Sequence, residues 1–398
     1  MSTTPVSQEC DVLVAGAGLP GVCAALSAAR TGAATTLVES RDGPGGSAVA
    51  AMHRVVCGLY GTDSVSPPQL LNGGITTEIV DRLKALNPSE NTVRVGKVWV
   101  LPFRTSHLQS VLRDLMARQA RLTVCYHTAV SSVEADAGRV RQAILRRQNR
   151  DASVAPRSVV DATGDGIIIR ACGAGQPPTP PAEQPLAGFT LHVENLQGAD
   201  DALPVKVPYI LAQGVREHAL PPPLQFTSFY AGAEPGHGYC KLSFYPEDNR
   251  QADQIKEQAR QVHRYLAAHL PAFRGSVVRE MSPTLVPREG HRLDGQYILT
   301  REDVLGARKF PDPAASNAWP IEIWDREKGP TFEYLEPGAH YDIPARCLTA
   351  RSLSNLFAAG RCLSATSEAL GSARVMGPCM ALGETAGRLA AEAASASV

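Results

Sequence analysis

The residues best placed to do chemistry are three glycines and a glutamate near the start of the chain. Gly16, Gly18 and Gly21 form Gly-x-Gly-x-x-Gly, and Glu39 follows Gly21 by 18 residues. The first glycine permits a tight turn, the second lets backbone approach a pyrophosphate, and the third lets a helix pack closely on a strand. A helix opening at such a turn offers free N–H groups and partial positive charge to phosphate. A carboxylate at the position of Glu39 accepts hydrogen bonds from an unphosphorylated ribose. The chemistry implied is dinucleotide binding, with FAD or NAD favoured over NADP.

The elements that must position these residues are legible around them. Val12–Ala15 is an apolar run suited to a buried parallel strand, Val22–Ala29 is small and apolar, and Thr35–Val38 is a second strand ending at Glu39. Together they read as a βαβ unit. Gly43, Gly45 and Gly46 follow in a loop that can pass close to a bulky group. Ser66–Gly73 is rich in turn formers, and Ile75–Leu86 has helical periodicity. Ser106 is placed to cap a helix reaching about Gln119. Leu122–Tyr126 reads as a further strand. Ala129–Glu134, Arg139–Arg147 and Ser153–Val160 read as a three-stranded meander, and Asp161–Gly166 as a second glycine turn. Asn355–Arg361 returns to strand-and-turn character before an alanine-rich helix over Pro378–Ala391. The expected fold is α/β: a Rossmann-like domain with a parallel sheet and β-meander, formed by residues 1–175 and 341–398. An inserted mixed α/β substrate domain is expected over 176–340. Within it, Leu186–Val193, Gln225–Tyr230, Tyr239–Tyr245, Ser276–Val286 and Gln296–Leu299 are strand candidates, and Asp253–Leu270 a helix candidate.

Composition narrows the classes. The chain has 398 residues, 44% of them hydrophobic, and 39 basic residues balance 39 acidic ones. A neutral chain without basic clusters argues against nucleic acid. No apolar run is long enough to span a membrane, and the polar Met1–Glu9 stretch lacks a signal-peptide core. Nine scattered cysteines without a Cys-x-x-Cys argue for reduced thiols in a cytoplasmic location, against structural zinc or any other metal site, and against a redox-active disulfide.

Further motifs join the first: Asp161–Gly166, Pro287–Thr300, Tyr341–Pro344 and Asn355–Met376. In this order the chain closely resembles bacterial FAD-dependent oxidoreductases of the glutathione-reductase-like flavoprotein superfamily, near the succinate dehydrogenase and fumarate reductase flavoproteins. The resemblance implies that Gly16, Gly18 and Gly21 hold the pyrophosphate of FAD and Glu39 its ribose. Gly46 and Ser47 would pass the flavin, Val130 would contact adenine through its backbone, and Ala162, Thr163 and Gly164 would line the cofactor. Gly360 and Arg361 would reach the ribityl-phosphate region, and Gly371, Ser372 and Arg374 the ring. Relatives with a flavin-linked histidine carry it where this chain has Ala48, so non-covalent FAD is expected.

The family's Arg-x-x-Arg-Arg run reads here Arg288-Glu289-Gly290-His291-Arg292. His291 and Arg292 are therefore the leading catalytic candidates, as a proton acceptor and a bidentate carboxylate ligand. His53, soon after the flavin loop, is a third. Arg54, Arg104, His340 and Tyr341 are further candidates for lining the cavity, and Cys57 reads as a buried inert thiol. The expected activity is a dehydrogenase or oxidase taking a hydride from a small organic substrate, from a C–H next to oxygen or nitrogen or from a C–C single bond. Electrons would pass to oxygen, a quinone or a carrier protein; the oligomeric state is left open. The alternatives are an FAD-dependent aromatic hydroxylase and a non-catalytic flavin-binding accessory protein.

Overall fold

The computed structural model describes residues 10–62, 69–88, 90–198, 201–232, 234–250 and 252–396. The polar N-terminal stretch and Ser66–Pro68 of the expected turn lie outside the described residues.

A five-stranded sheet carries the nucleotide motifs. Its order is Leu356–Ala358, Ser158–Asp161, Val12–Ala15, Thr35–Val38 and Leu122–Cys125, and every neighbouring pair is parallel. The three central strands are buried along their whole length, which is why they read as unbroken runs rather than alternating ones. The strand at 356–358 joins the sheet from the far end of the chain. Asn355 ties it in: its side chain accepts from Val140 N at 2.8 Å and donates to the carbonyls of Val140 and Arg157 at 2.9 Å. The helix Met376–Ser395 packs on Leu19–Arg30 through small residues. A Cβ on Gly383 or Gly387 would meet the carbonyl oxygen of Pro20 or Ala24 at 2.1 Å, so both positions require glycine.

The meander is Thr128–Asp136, Arg139–Arg147 and Arg150–Val154. Its last strand differs from the expected 153–160: the chain breaks at Ala155–Pro156, and Ser158–Asp161 enters the parallel sheet instead. Ser106 does not cap its helix, which runs Thr105–Ala117 from Arg104 without a side-chain cap.

A second body is built on a four-stranded antiparallel sheet, ordered Ser228–Ala231, Gly238–Phe244, Ala187–Glu194 and Val277–Met281. Helices Leu203–Arg216 and Ala252–His269 belong to it. Its core runs from Ala187 to Leu285. That is narrower than the span of 176–340 expected from sequence, because Leu299, Ala315 and Ile321 pack into the large core of the parallel-sheet body. Only part of 276–286 forms a strand, and 296–299 makes isolated bridges.

Candidate active site

One cavity of about 420 Å³ runs along the carboxyl ends of the parallel strands. Its lining includes Gly16, Gly18, Glu39, Gly46, Ser47, Val130, Ala162, Thr163, Gly164, Gly360, Arg361 and Arg374. The geometry explains the glycines. A Cβ on Gly16 (φ +95°) would meet Ala162 O at 2.6 Å, and one on Gly46 (φ +52°) would meet Gly18 Cα at 2.8 Å. The first glycine turn, the second and the flavin loop therefore nest against one another to make the cavity floor. Gly21 packs beneath that floor, with room for no side chain against Gly16 O.

Glu39 is buried, and its carboxylate accepts from Ala17 N at 2.7 Å, Arg41 N at 2.9 Å and Ser40 Oγ at 3.1 Å. About four acceptor positions exist on a carboxylate, so it is fixed in place with capacity for one hydroxyl. The helix Leu19–Arg30 starts at Gly18 with no side-chain cap, leaving first-turn N–H groups open to an anion. The helix starting at Met376 is likewise uncapped, and Arg374, Met376 and Cys379 line the cavity beside it. Asp161 shapes the second turn by accepting from Thr163 N and Oγ1 and from Ile168 and Ile169 N, at 2.7–3.1 Å.

Arg361 lines the cavity but is held by protein. It donates to Gly164 O at 3.1 Å and Pro287 O at 2.6 Å and pairs with Asp165 at 3.1 Å. Gly371 and Ser372, expected at the ring, do not line the cavity. Gly371 lets its helix lie on the strand Ile321–Asp325, where a Cβ would stand 2.9 Å from Glu322 O. The Ser372 hydroxyl bonds to Trp319 O, Tyr341 Oη and Asn317 Nδ2 at 2.6–3.1 Å. Both place the neighbouring Arg374.

The catalytic candidates separate. Arg292 is 8% exposed, donates to Thr179 Oγ1 at 3.0 Å and lies 4.0 Å from Glu289. Glu289 also accepts from Thr179 and Ser367. Arg292 is thus part of a buried network and does not line the main cavity, where the sequence reading expects it to face the flavin. His291 lines a side groove of about 240 Å³ with Thr179, Gln184 and Glu289; the groove shares Asp165, Ile167 and Pro287 with the main cavity, which His291 itself does not line. Tyr341 is buried in the core and Arg104 pairs with Glu234 near the surface.

His53 instead belongs to a charged cluster. Its backbone N–H donates to Ala48 O at 3.0 Å, directly after the Gly43–Ser47 loop. Burial, Lys241 and Arg288 push its imidazole down to about 3, so it is neutral near pH 7. The same surroundings hold Lys241, Arg288, Glu322 and Arg374. Burial lowers Lys241 to about 8 and Arg288 to about 9, each further depressed by a neighbouring guanidinium. Desolvation opposes the charge on Glu322, but Arg374, Lys241 and the Trp324 N–H outweigh it and hold the carboxyl down at about 2. Both Glu322 oxygens are taken by indoles: Trp324 Nε1 at 2.6 Å and Trp319 Nε1 at 3.1 Å. Arg288 Cζ lies 4.1 Å and Lys241 Nζ 4.9 Å from the centroid of the Trp324 ring. Arg374 shares this cluster with the cavity, so the two adjoin.

A parallel sheet with nested glycine turns, the uncapped N-terminus of the Leu19 helix and a buried carboxylate fixed by backbone N–H groups around one cavity defines a dinucleotide-binding flavoprotein of Rossmann type. The chain matches the FAD dependent oxidoreductase family over residues 11–398 and belongs to it. No curated protein matches the chain. Among solved structures it is similar to a geranylgeranyl bacteriochlorophyll reductase-like protein from Thermoplasma acidophilum, at 14% identity over 98% of this chain and 79% of that one, with a TM-score of 0.48. It is also similar to the anhydrotetracycline hydroxylase OxyS from Streptomyces rimosus, at 13% identity over 91% of this chain and 59% of that one, with a TM-score of 0.49. A triple mutant of the flavin-dependent brominase Bmp2 gives 12%, 98%, 80% and 0.46 for the same quantities. All three TM-scores lie below 0.5, so none of these likenesses bears on the reaction. No helix among the described residues is long and apolar enough to cross a membrane.

Proposed function

We propose that the chain is an FAD-dependent dehydrogenase or oxidase of a small organic substrate. The observation that carries this reading is the cluster of His53, Lys241, Arg288, Glu322 and Arg374 adjoining the nucleotide cavity. FAD fits the cavity's residues: Gly16, Gly18 and the Leu19 helix end for the pyrophosphate, Glu39 for the ribose, and Gly46, Ser47 and Arg374 towards the ring. Non-covalent binding agrees with the lining, which contains no histidine, and with Cys379, whose thiol is pushed up to about 12 by burial. Bound FAD supplies an acceptor for a hydride from the substrate carbon.

The protein's own part is to bind, orient and deprotonate. Trp319, Trp324 and Tyr230 give apolar surface, and the cations supply directional N–H donors. The imidazole of His53 has no hydrogen-bond partner among the described residues and is neutral, so one ring nitrogen is free to accept a proton from a substrate O–H or N–H.

Anaerobic stopped-flow spectroscopy tests the reading. A dehydrogenase or oxidase is bleached by its organic substrate, screened among hydroxy acids, amines, sugars and cyclic imines. Bleaching by NADPH alone would instead mark a hydroxylase, and bleaching by neither an accessory protein.

A further inference from the structure

Three cations of the cluster lack a direct counter-ion. Among the described residues Lys241, Arg288 and Arg374 make no ion pair within 4 Å; Glu322, whose field reaches all three, is turned to the two indoles. Arg374 Nη2 donates to Glu322 O at 3.3 Å and Arg288 Nη1 to Leu186 O. The Lys241 ammonium has no hydrogen-bond partner among the described residues, and it is not walled off from solvent. Glu322 offsets only part of the cost of holding like charges together in a desolvated place, and a fold that keeps Lys241 and Arg288 side by side does so against its own stability.

Their arrangement is specific. Lys241 comes from the strand Gly238–Phe244 and Arg288 from the segment after Val286, and they converge at Gly188 on the strand between. Lys241 Cε and Arg288 Nη2 both lie within 4 Å of the point where a Gly188 Cβ would stand. The missing side chain leaves space shared by the two cationic heads, with Trp324 as a wall. Arg374, which lines the nucleotide cavity, is the cation facing the cofactor; Lys241 and Arg288 do not line it.

We propose that Lys241 and Arg288, beside Trp324, form the binding site for a carboxylate group of the substrate. The inference rests on the hydride-transfer reading above and deepens it by naming the substrate class. A planar carboxylate can take one N–H from each cation, and charge-assisted bonds of this kind are about twice as strong as neutral ones. Binding has a second effect. Burial depresses His53 most, and Lys241 and Arg288 add to it, so an anion between them offsets the part of the depression that the two cations contribute. Substrate binding and general-base strength are thereby coupled.

The test uses the holoprotein and defined probes: benzoate, succinate and acetate, each against its uncharged amide. Calorimetry reads binding independently of colour, the flavin spectrum reads proximity to the ring, and the FAD-to-protein ratio is measured alongside. At least one carboxylate is expected to bind saturably and perturb the spectrum, with its amide at least tenfold weaker. Lys241→Gln should weaken the carboxylate at least tenfold and leave FAD content unchanged. Equal binding of acid and amide, or unaltered carboxylate binding in Lys241→Gln, would overturn the proposal. So would loss of FAD in Lys241→Gln, which would assign the cation to the cofactor's own negative charge. Wild-type protein that binds carboxylate but no FAD would refute the oxidoreductase reading and leave the anion site standing.

Discussion

Replacing Lys241 by methionine should stabilise the protein. The ammonium is pushed down to about 8 from 10.5 in the folded state, chiefly by burial and then by Arg288. A shift of this size corresponds to roughly 3 kcal/mol of unfavourable interaction. The side chain is partly accessible, so solvent screening reduces that to about 1–2 kcal/mol. Methionine loses the contact of the ammonium with the Trp324 ring, worth about 0.5–1 kcal/mol at a partly exposed site. It keeps the apolar stem. The net expectation is a gain of about 1 kcal/mol near neutral pH, within the range that single substitutions produce. The pH dependence is the sharper signature. The folded-state pKa lies below the unfolded one, so the penalty is fully present below pH 8 and fades between about 8 and 10.5 as the folded protein sheds the proton first. Wild type should therefore gain on Lys241→Met as pH rises through that window. Chemical denaturation of both proteins at matched FAD saturation, near pH 7 and near pH 9.5, reads both effects. A variant that is less stable at neutral pH, with a difference indifferent to pH, would refute the claim that the burial of Lys241 outweighs its compensation by Glu322.

Glu39→Ala should weaken FAD binding about tenfold or more, since it removes the charged acceptor for a ribose hydroxyl, a bond worth roughly 1.5–3 kcal/mol; fluorimetric titration of apoprotein measures this. Arg292→Ala should lower stability by about 3–5 kcal/mol by leaving buried Glu289 uncompensated, while carboxylate affinity of the folded fraction stays as in wild type; a large affinity loss would return Arg292 to the substrate site. Gly371→Ala places a methyl 2.9 Å from Glu322 O and should cost about 1–3 kcal/mol and shift the flavin spectrum through Arg374. Carboxylate affinity should be level below neutrality and fall as pH rises past about 8, when Lys241 loses its proton while the Arg288 guanidinium keeps its charge; affinity that is flat across this range would count against Lys241. The groups facing the two cations there are His53, Cys57, Tyr230, Glu322 and Arg374.

The nucleotide half of the site was legible because its constraints are local. Gly16, Gly18 and Gly21 answer to a turn and a close approach within one βαβ unit, and Glu39 ends the next strand, so spacing along the chain is spacing in space. The strand at 356–358 announced itself by its apolar run before a glycine turn. The helix Leu203–Arg216 did not, because Pro204 and Pro208 hide a period of buried Leu203, Val207 and Leu211. Pro204 is tolerated near the helix start, where its missing N–H would have no partner. The charged cluster was least legible. His53, Lys241, Arg288, Glu322 and Arg374 come from five separate segments, and nothing in the flanks of Lys241 or Glu322 separates them from surface charges. Arg288 was visible as one end of the Arg-x-x-x-Arg remnant, but its partner Arg292 turns the other way to Glu289.

That divergence has a physical cause in Gly290. A Cβ there would stand 2.3 Å from Gly164 O, so the segment between the two arginines is pressed against the second glycine turn of the nucleotide site. Arg288, before this contact, reaches towards Trp324 and the antiparallel sheet; Arg292, after it, turns into the Thr179–Glu289 network. Arg361 reinforces the pivot by bonding Gly164 O and Pro287 O together. The segment carrying Arg288 is therefore anchored to a turn that lines the main cavity, and the placement of a cation of the proposed carboxylate site is tied to the same backbone that shapes that cavity. Gly290→Ala should accordingly disturb both sites at once, lowering FAD affinity and carboxylate affinity together. A variant that lost only one of the two would show that the cavity and the cluster are positioned independently.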